Sequence, residues 1–245
     1  MAARIERRAV QAMFGDIAPT YDLLNRLLSL GIDRGWRRAG VRLLLEALRG
    51  REEGRLLDLA TGTADVALEI RRQLGSRRQV RVAGADFALP MLARAKEKVE
   101  RRRAGVGLFQ ADALALPFPS GSFDGVIIVF GLRNLEDRAA GLAEMARVLR
   151  PGGRLVILEF GNPPGLFGMI FQLYFRFLLP AVGRRVSGHP TAYRYLPETV
   201  SEFPLAGALS AMIREAGFGS VTARPLTGGI VQLYAGVRLD GGDRG

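Results

Sequence analysis

Cysteine is absent from the 245 residues, and histidine occurs once, at His189. Disulfides, thiolate catalysis and cysteine-based zinc sites are therefore excluded, and no histidine cluster is available to bind a metal. Lysine is almost missing as well, with only Lys96 and Lys98, so the formal net charge of +11 is carried by arginine. A balance of this kind favours anionic partners, whether nucleic acid, lipid headgroups or an acidic substrate. The plainer alternative is a compositional bias that solubilises the surface. The basic clusters are Arg7 and Arg8, Arg37 and Arg38, Arg77 and Arg78, and the run from Arg101 to Arg103. They are scattered rather than gathered in one stripe, so no nucleic-acid partner is expected. The opening MAARIERRAVQAMFGD lacks the apolar core of a signal peptide, which makes the cytoplasm the expected location.

A long uninterrupted apolar run is also lacking. The nearest approach, LFGMIFQLYFRFLLPAV (166–182), is broken by Gln172 and Arg176 and stopped by Pro180. A membrane-spanning helix needs ~20 consecutive apolar residues. The stretch is left with three uses: core, pocket lid, or a surface resting on a membrane.

What is present is a globular composition, 48% hydrophobic and 24% charged, in a length that suits one domain with additions. Residues 1–50 read as a helical N-terminal cap. PTYDLLNRLLSL carries apolar residues at 23, 24, 27, 28 and 30, a helical stripe, and residues 36–48 continue it until Gly50. The pattern then changes to strands at 55–60, 80–86, 106–112, 123–131 and 153–160. Helices are expected after TGTAD, over 88–103 and over 137–149. This alternation predicts an α/β fold with a doubly wound, mostly parallel sheet. An apolar insertion fills 163–200. A helix over 205–216 follows, and SVTARPL and IVQLYAGVRL, separated by TGG, complete seven strands as an antiparallel hairpin.

Three acids end the first three strands. Asp58 precedes the turn TGTAD, where Gly62 and its small neighbours allow a ligand close to the backbone near a helix N-terminus. Asp86 ends strand two, where an acid can accept both hydroxyls of a ribose. Asp112, followed by Ala113, ends strand three, where it can accept from an adenine amino group. Each feature has an ordinary structural use as well: a tight βα turn, a helix N-cap, a loop cap. Together they line one crevice of a doubly wound sheet.

With that pattern the chain resembles the class I S-adenosylmethionine-dependent methyltransferases, a Rossmann-like fold. Ala64 stands at the usual third glycine of the first turn. The resemblance narrows with YDLLNRLLSLGIDRGW (21–36), LPFPSGSFDGVIIVFGLRN (116–134), RVLRPGGRLVILEF (147–160) and YRYLPETV (193–200). These are similar, in order and over nearly the whole chain, to the C-methyltransferases of menaquinone and ubiquinone biosynthesis. GTAD (62–65) favours the menaquinone type. Two departures stand out: Asp33 replaces a usual histidine, and Gly161 replaces a usual serine.

The resemblance implies contacts from Thr63, Asp86, Asp112 and Ala113 to S-adenosylmethionine. It implies methyl transfer to a ring carbon of a prenylated quinol, demethylmenaquinol first and the ubiquinone-precursor benzoquinol second. Another small molecule, RNA, or a non-catalytic scaffold role stays open. Arg133 is expected to stabilise the quinol oxygen electrostatically, since guanidinium is a poor base, and Asn134 to hydrogen-bond that oxygen or a water. Tyr21, Asp22 and Asn25 would close the pocket, and Tyr193, Arg194 and Tyr195 would face the substrate. His189 reads as a loop residue. Peripheral contact with an anionic membrane and homo-oligomerisation are both compatible with the sequence.

Overall fold

In a computed structural model, the residues described are 15, 18, 22, 29, 31–173 and 199–240. Helix α1 (Asp33–Leu44) runs into a 3-10 turn, Leu45–Leu48. Then come β1 (Gly54–Leu59), α2 (Asp65–Leu74), β2 (Val80–Asp86), α3 (Leu89–Arg101) and β3 (Val106–Gln110). The chain continues through β4 (Phe123–Val129), α4 (Arg138–Val148), β5 (Leu149–Phe160) and α5 (Gly165–Leu173). It closes with α6 (Ala206–Glu215), β6 (Phe218–Leu226) and β7 (Val231–Arg238).

The seven strands lie in the order β3-β2-β1-β4-β5-β7-β6. The first five are parallel, and β7 inserts antiparallel between β5 and β6. The order reverses between β1 and β4, the place where open α/β sheets form a crevice beyond their carboxyl ends. Central strands covered on both faces must be apolar throughout, and β4 is buried at every residue but its last. On one face Leu57, Ile128 and Ile157 pack with Leu142 and Met145 of α4 and with Leu209 and Ile213 of α6. On the other, Leu56, Ile127 and Val156 pack with Leu44 of α1, Ile70 of α2 and Val99 of α3.

The expected turn RPGG lies inside a strand. β5 starts at Leu149 opposite Phe123, and Arg154 is already opposite Gly125, so the chain bulges between them, with Gly152 at φ +73. The C-terminal pair is antiparallel as expected, joined by a 3-10 turn at Thr227–Gly229. Most of the expected first helix, and residues 174–198 of the insertion, lie outside the described residues.

Two departures from the family pattern have local causes. A side chain at Gly161 would bring its Cβ to 2.5 Å from the Gly229 carbonyl, so serine does not fit there without a shift. Asp33 is buried, accepts from Ser29 Oγ at 2.8 Å and pairs with Arg37.

Ala64 holds φ +67 and precedes α2 with no capping side chain. An L-residue in that region carries strain that glycine does not. Ala64→Gly is expected to raise stability by about 1 kcal/mol, read as a higher urea midpoint at unchanged slope. A lower midpoint would show that the φ is not strained.

Candidate functional site

Asp58 sits on central strand β1 at 1% exposure. Its Oδ2 accepts from Thr61 Oγ1 at 2.5 Å and from the Ala67 N–H at 3.0 Å. Ala67 belongs to the first turn of α2, where main-chain N–H groups lack helical partners. Asp58 therefore caps the helix across the turn, a task Ala64 cannot perform. Its Oδ1 is buried without a hydrogen-bond partner among the described residues. Burial, joined by the charge of Asp86, pushes the Asp58 carboxyl up to about 7. A carboxylate in that condition favours a cationic neighbour.

The turn after β1 passes through left-handed conformations at Ala60 (φ 54), Gly62 (φ 54) and Ala64 (φ 67). The Gly62 N–H donates to Asp86 Oδ2 at 2.8 Å, and the other Asp86 oxygen accepts from Ala88 N–H at 2.9 Å. Asp86 thus builds the turns on both sides of the crevice rather than capping α3. Burial raises its pKa as well. A Cβ placed on Gly62 would meet nothing within 4 Å, so this backbone faces open space.

Thr63 is buried. Its hydroxyl donates to Asp22 Oδ1 at 2.6 Å and accepts from Lys98 Nζ at 2.8 Å. Lys98 also pairs with Asp22, and with Asp65 at 2.8 Å. Arg37 pairs with Asp65 at 2.5 Å. Burial pushes the Asp65 carboxyl up, but Arg37 and Lys98 outweigh it and hold its pKa below the usual value. The N-terminal cap is thus tied by charge to the first turn. Asp112 turns one oxygen to the Leu114 N–H at 2.9 Å, with the buried Ala113 beside it.

Across the switch point, Phe130 follows β4 with φ 55. This turns its carbonyl to accept from Arg133 Nη1 at 2.5 Å and from Asn134 Nδ2 at 3.4 Å. Gly131 fits because an added Cβ would lie 2.6 Å from that of Ala60, so the β4 loop presses on the β1 turn. Arg133 is 6% exposed and paired with the fully buried Glu159 at 3.0 Å. Glu159 also accepts from the Arg133 and Phe160 N–H groups, both at 3.2 Å. Half-buried Phe130 and Phe160 lie 4.6 Å apart between ring centroids, with Trp36 edge-on to Phe130 and the Arg133 guanidinium 5.4 Å from the Phe160 ring centre.

Asp58, Gly62, Thr63, Asp86, Asp112, Ala113, Arg133 and Asn134 all fall in or beside the loops that follow β1 to β4. Tyr21, Asn25, His189, Tyr193, Arg194 and Tyr195 lie outside the described residues. Sequence reasoning passed over Glu159, Lys98 and the Phe130–Phe160 pair. The signal for Glu159 was an acid at the end of an otherwise apolar strand, next in the sheet to one that ends in arginine.

A family model described as the ubiE/COQ5 methyltransferase family matches residues 1–238. A demethylmenaquinone methyltransferase of Thermus thermophilus is 52% identical over 227 residues, covering 92% of this chain and all of the relative. One from Deinococcus radiodurans is 50% identical over 230 residues, 94% of this chain and 92% of the relative. Among solved structures, a SAM-dependent methyltransferase from Aquifex aeolicus aligns at TM-score 0.56 and 18% identity, over 76% of this chain and 82% of that one. That likeness concerns the fold.

Asp58 sets a pH-dependent expectation. Its folded pKa lies above the ordinary 3.8, so the folded chain holds a proton that the unfolded chain releases between pH 3.8 and about 7. Stability therefore falls as pH rises through that window, by an amount on the order of a few kcal/mol. Asp58→Asn removes the charge and keeps the shape. Its melting temperature should exceed that of the unsubstituted chain at pH 8.5, and the difference should vanish near pH 4. An equal difference at both values would refute the assignment.

Proposed function

The chain belongs to the ubiE/COQ5 methyltransferase family, and we propose that it methylates a ring carbon of demethylmenaquinol in menaquinone biosynthesis, with S-adenosylmethionine as donor. The observation that carries the substrate is the 52% identical relative named for demethylmenaquinone, matched over its entire length. The donor is supported by the crevice itself. It holds a buried carboxylate oxygen without a partner, a second acid with a raised pKa, and an open main-chain turn.

When bound, S-adenosylmethionine supplies an electrophilic methyl group on a positively charged sulfur. Asp58 Oδ1 is assigned to the ligand's ammonium and Asp86 to the ribose hydroxyls. Asp112 and Ala113 are assigned to the adenine edge. Thr63 and Lys98 suit the ligand's carboxylate, a place the Asp22 carboxylate now fills. Asp22 would therefore have to move as the donor enters.

Phe130 and Phe160 offer a flat apolar face for the quinol ring. Arg133, neutralised by Glu159, acts as an oriented hydrogen-bond donor to the quinol oxygen rather than as a bare cation. Holding that oxygen as phenolate would raise electron density on the neighbouring ring carbon, to which S-adenosylmethionine, when bound, would supply its methyl group, and the ring proton displaced there would need an acceptor. Both Glu159 oxygens already accept hydrogen bonds. The proton acceptor is accordingly assigned to water held by Asn134.

No helix among the described residues is long and apolar enough to cross a membrane. Peripheral contact through residues 166–182 would let the quinol's isoprenoid tail stay in the bilayer. Liposome flotation checks this, with capture by anionic vesicles expected; recovery in the unbound fraction with every lipid would discard it.

The deciding experiment supplies purified protein with methyl-labelled S-adenosylmethionine and demethylmenaquinol, the benzoquinol, or RNA. Label in menaquinol is expected; label in neither quinol, with donor bound, rejects the proposal. Removing Arg133 alone would strand a buried acid and cost about 3–5 kcal/mol, which would confuse folding with catalysis. The double change Arg133→Met with Glu159→Gln avoids that. It should keep donor affinity while lowering kcat about 100-fold. Unchanged kcat at saturating quinol would exclude the role given to Arg133.

A further inference from the structure

The carboxyl ends of the strands carry the crevice described above, and their amino ends carry something else. Strands β2, β1, β4 and β5 are neighbours in that order, and their amino ends border a cavity of about 580 Å³. That volume suits a small-molecule ligand, but such sites are usually apolar. This one is lined by Arg51, Arg55, Arg78, Arg81 and Arg150, against only two acids, Glu53 and Asp124.

Asp124 is buried and fully engaged. Its Oδ1 pairs with Arg51 and, at 2.5 Å, with Arg150, while its Oδ2 accepts from the Arg55 N–H at 2.6 Å. It thereby fixes two guanidiniums at the cavity wall and anchors the start of β1. Arg55, Arg78 and Arg81 have no carboxylate partner among the described residues, although other arginines of this chain pair readily. Arg55 and Arg81 are register partners on adjacent parallel strands, so their side chains leave the same face of the sheet. Like charges set side by side on a sheet oppose folding. Three exposed, unneutralised guanidiniums around one cavity, with two more held in place by a buried acid, form an arrangement that an anion would relieve.

The fork of a guanidinium matches phosphate oxygens two at a time. A single carboxylate would satisfy one fork; several forks call for several phosphate groups. β1 has six residues, which puts this edge roughly 17 Å from the crevice. A lipid headgroup held here would place the membrane at the end of the sheet opposite the crevice, so a free ligand fits better. We propose that the arginine-lined cavity at the amino edge of the sheet binds a soluble, polyphosphate-bearing molecule. This site is separate from the crevice and does not depend on the reaction assigned to it.

The test titrates the full chain with inorganic tripolyphosphate and with orthophosphate by calorimetry. Tripolyphosphate should bind at least 10-fold more tightly than orthophosphate and should raise the melting temperature. The double variant Arg55→Gln with Arg81→Gln should lose at least 10-fold in tripolyphosphate affinity while its methyl transfer is unchanged. A control that removes the same charge elsewhere, Arg101→Gln with Arg102→Gln, should keep the affinity. Equal losses in both variants would mean diffuse attraction to a basic surface and would overturn the site. So would the absence of tripolyphosphate binding. Vesicles with and without phosphatidylglycerol, and a single-stranded RNA, complete the set. Arg55- and Arg81-dependent capture of either, without binding of tripolyphosphate, would overturn the free-ligand reading in favour of lipid or RNA.

Discussion

One buried carboxylate organises the crevice. Asp58 must lose water to sit on the central strand, and that loss is what lifts its pKa to about 7. The fold compensates on one oxygen only. Oδ2 receives Thr61 and the Ala67 N–H, tying β1, its turn and α2 into one unit. The turn can be as tight as it is because the helix needs no capping residue of its own. Ala64 sits at the cap with φ +67 and no side-chain hydrogen bond. From that fixed turn the Gly62 N–H reaches Asp86 on β2, and Ala60 becomes the floor for Gly131 after β4. Three strands are thus aligned around a single acid whose second oxygen is buried with no hydrogen-bond partner among the described residues.

The opposite wall of the crevice follows another rule. Arg133 and Glu159 are both nearly water-free, and neither charge would be tolerable there alone. Together they are close to neutral, and they leave the guanidinium fixed in direction. The strained Phe130 backbone serves the same end, since its carbonyl is turned onto the Arg133 Nη1. Strain of this type survives only where surrounding contacts over-determine it. Here the contacts are the Trp36 and Phe160 rings and the Gly131–Ala60 approach. The first wall carries acids poised to meet positive charge, while the second is balanced and aromatic. That difference is what a cationic donor and a neutral aromatic acceptor would each require.

The sequence was legible where one period or one chemical type dominates. The strands that become β1, β2, β4 and β5 are apolar runs bounded by glycine, proline or charge, and they were found within a few residues. The three strand-end acids were found because acids after buried runs are conspicuous. The bulge at RPGG was read as a turn, since proline and glycine signal chain reversal in either setting and only the register with β4 separates the two. Arg133 stands out in the sequence, but its partner Glu159 does not. The ion pair joins residues 26 apart in sequence, and nothing local announces that β4 and β5 lie side by side. Lys98 stands out in the sequence only as a rare lysine, because its partners Asp22, Thr63 and Asp65 come from two places distant from it in the chain.

The same sheet explains why a chain of net charge +11 is not uniformly basic. At the carboxyl edge, Asp58 and Asp86 sit where burial opposes their ionisation. At the amino edge, Arg55 and Arg81 stand side by side, neither paired with a carboxylate among the described residues. The hydrophobic burial comes from the apolar middles of β1, β4 and β5, which lie between the two edges. Each end of the strands thus holds a charge pattern that is locally unfavourable, and the apolar core between them supplies the stability that lets both persist.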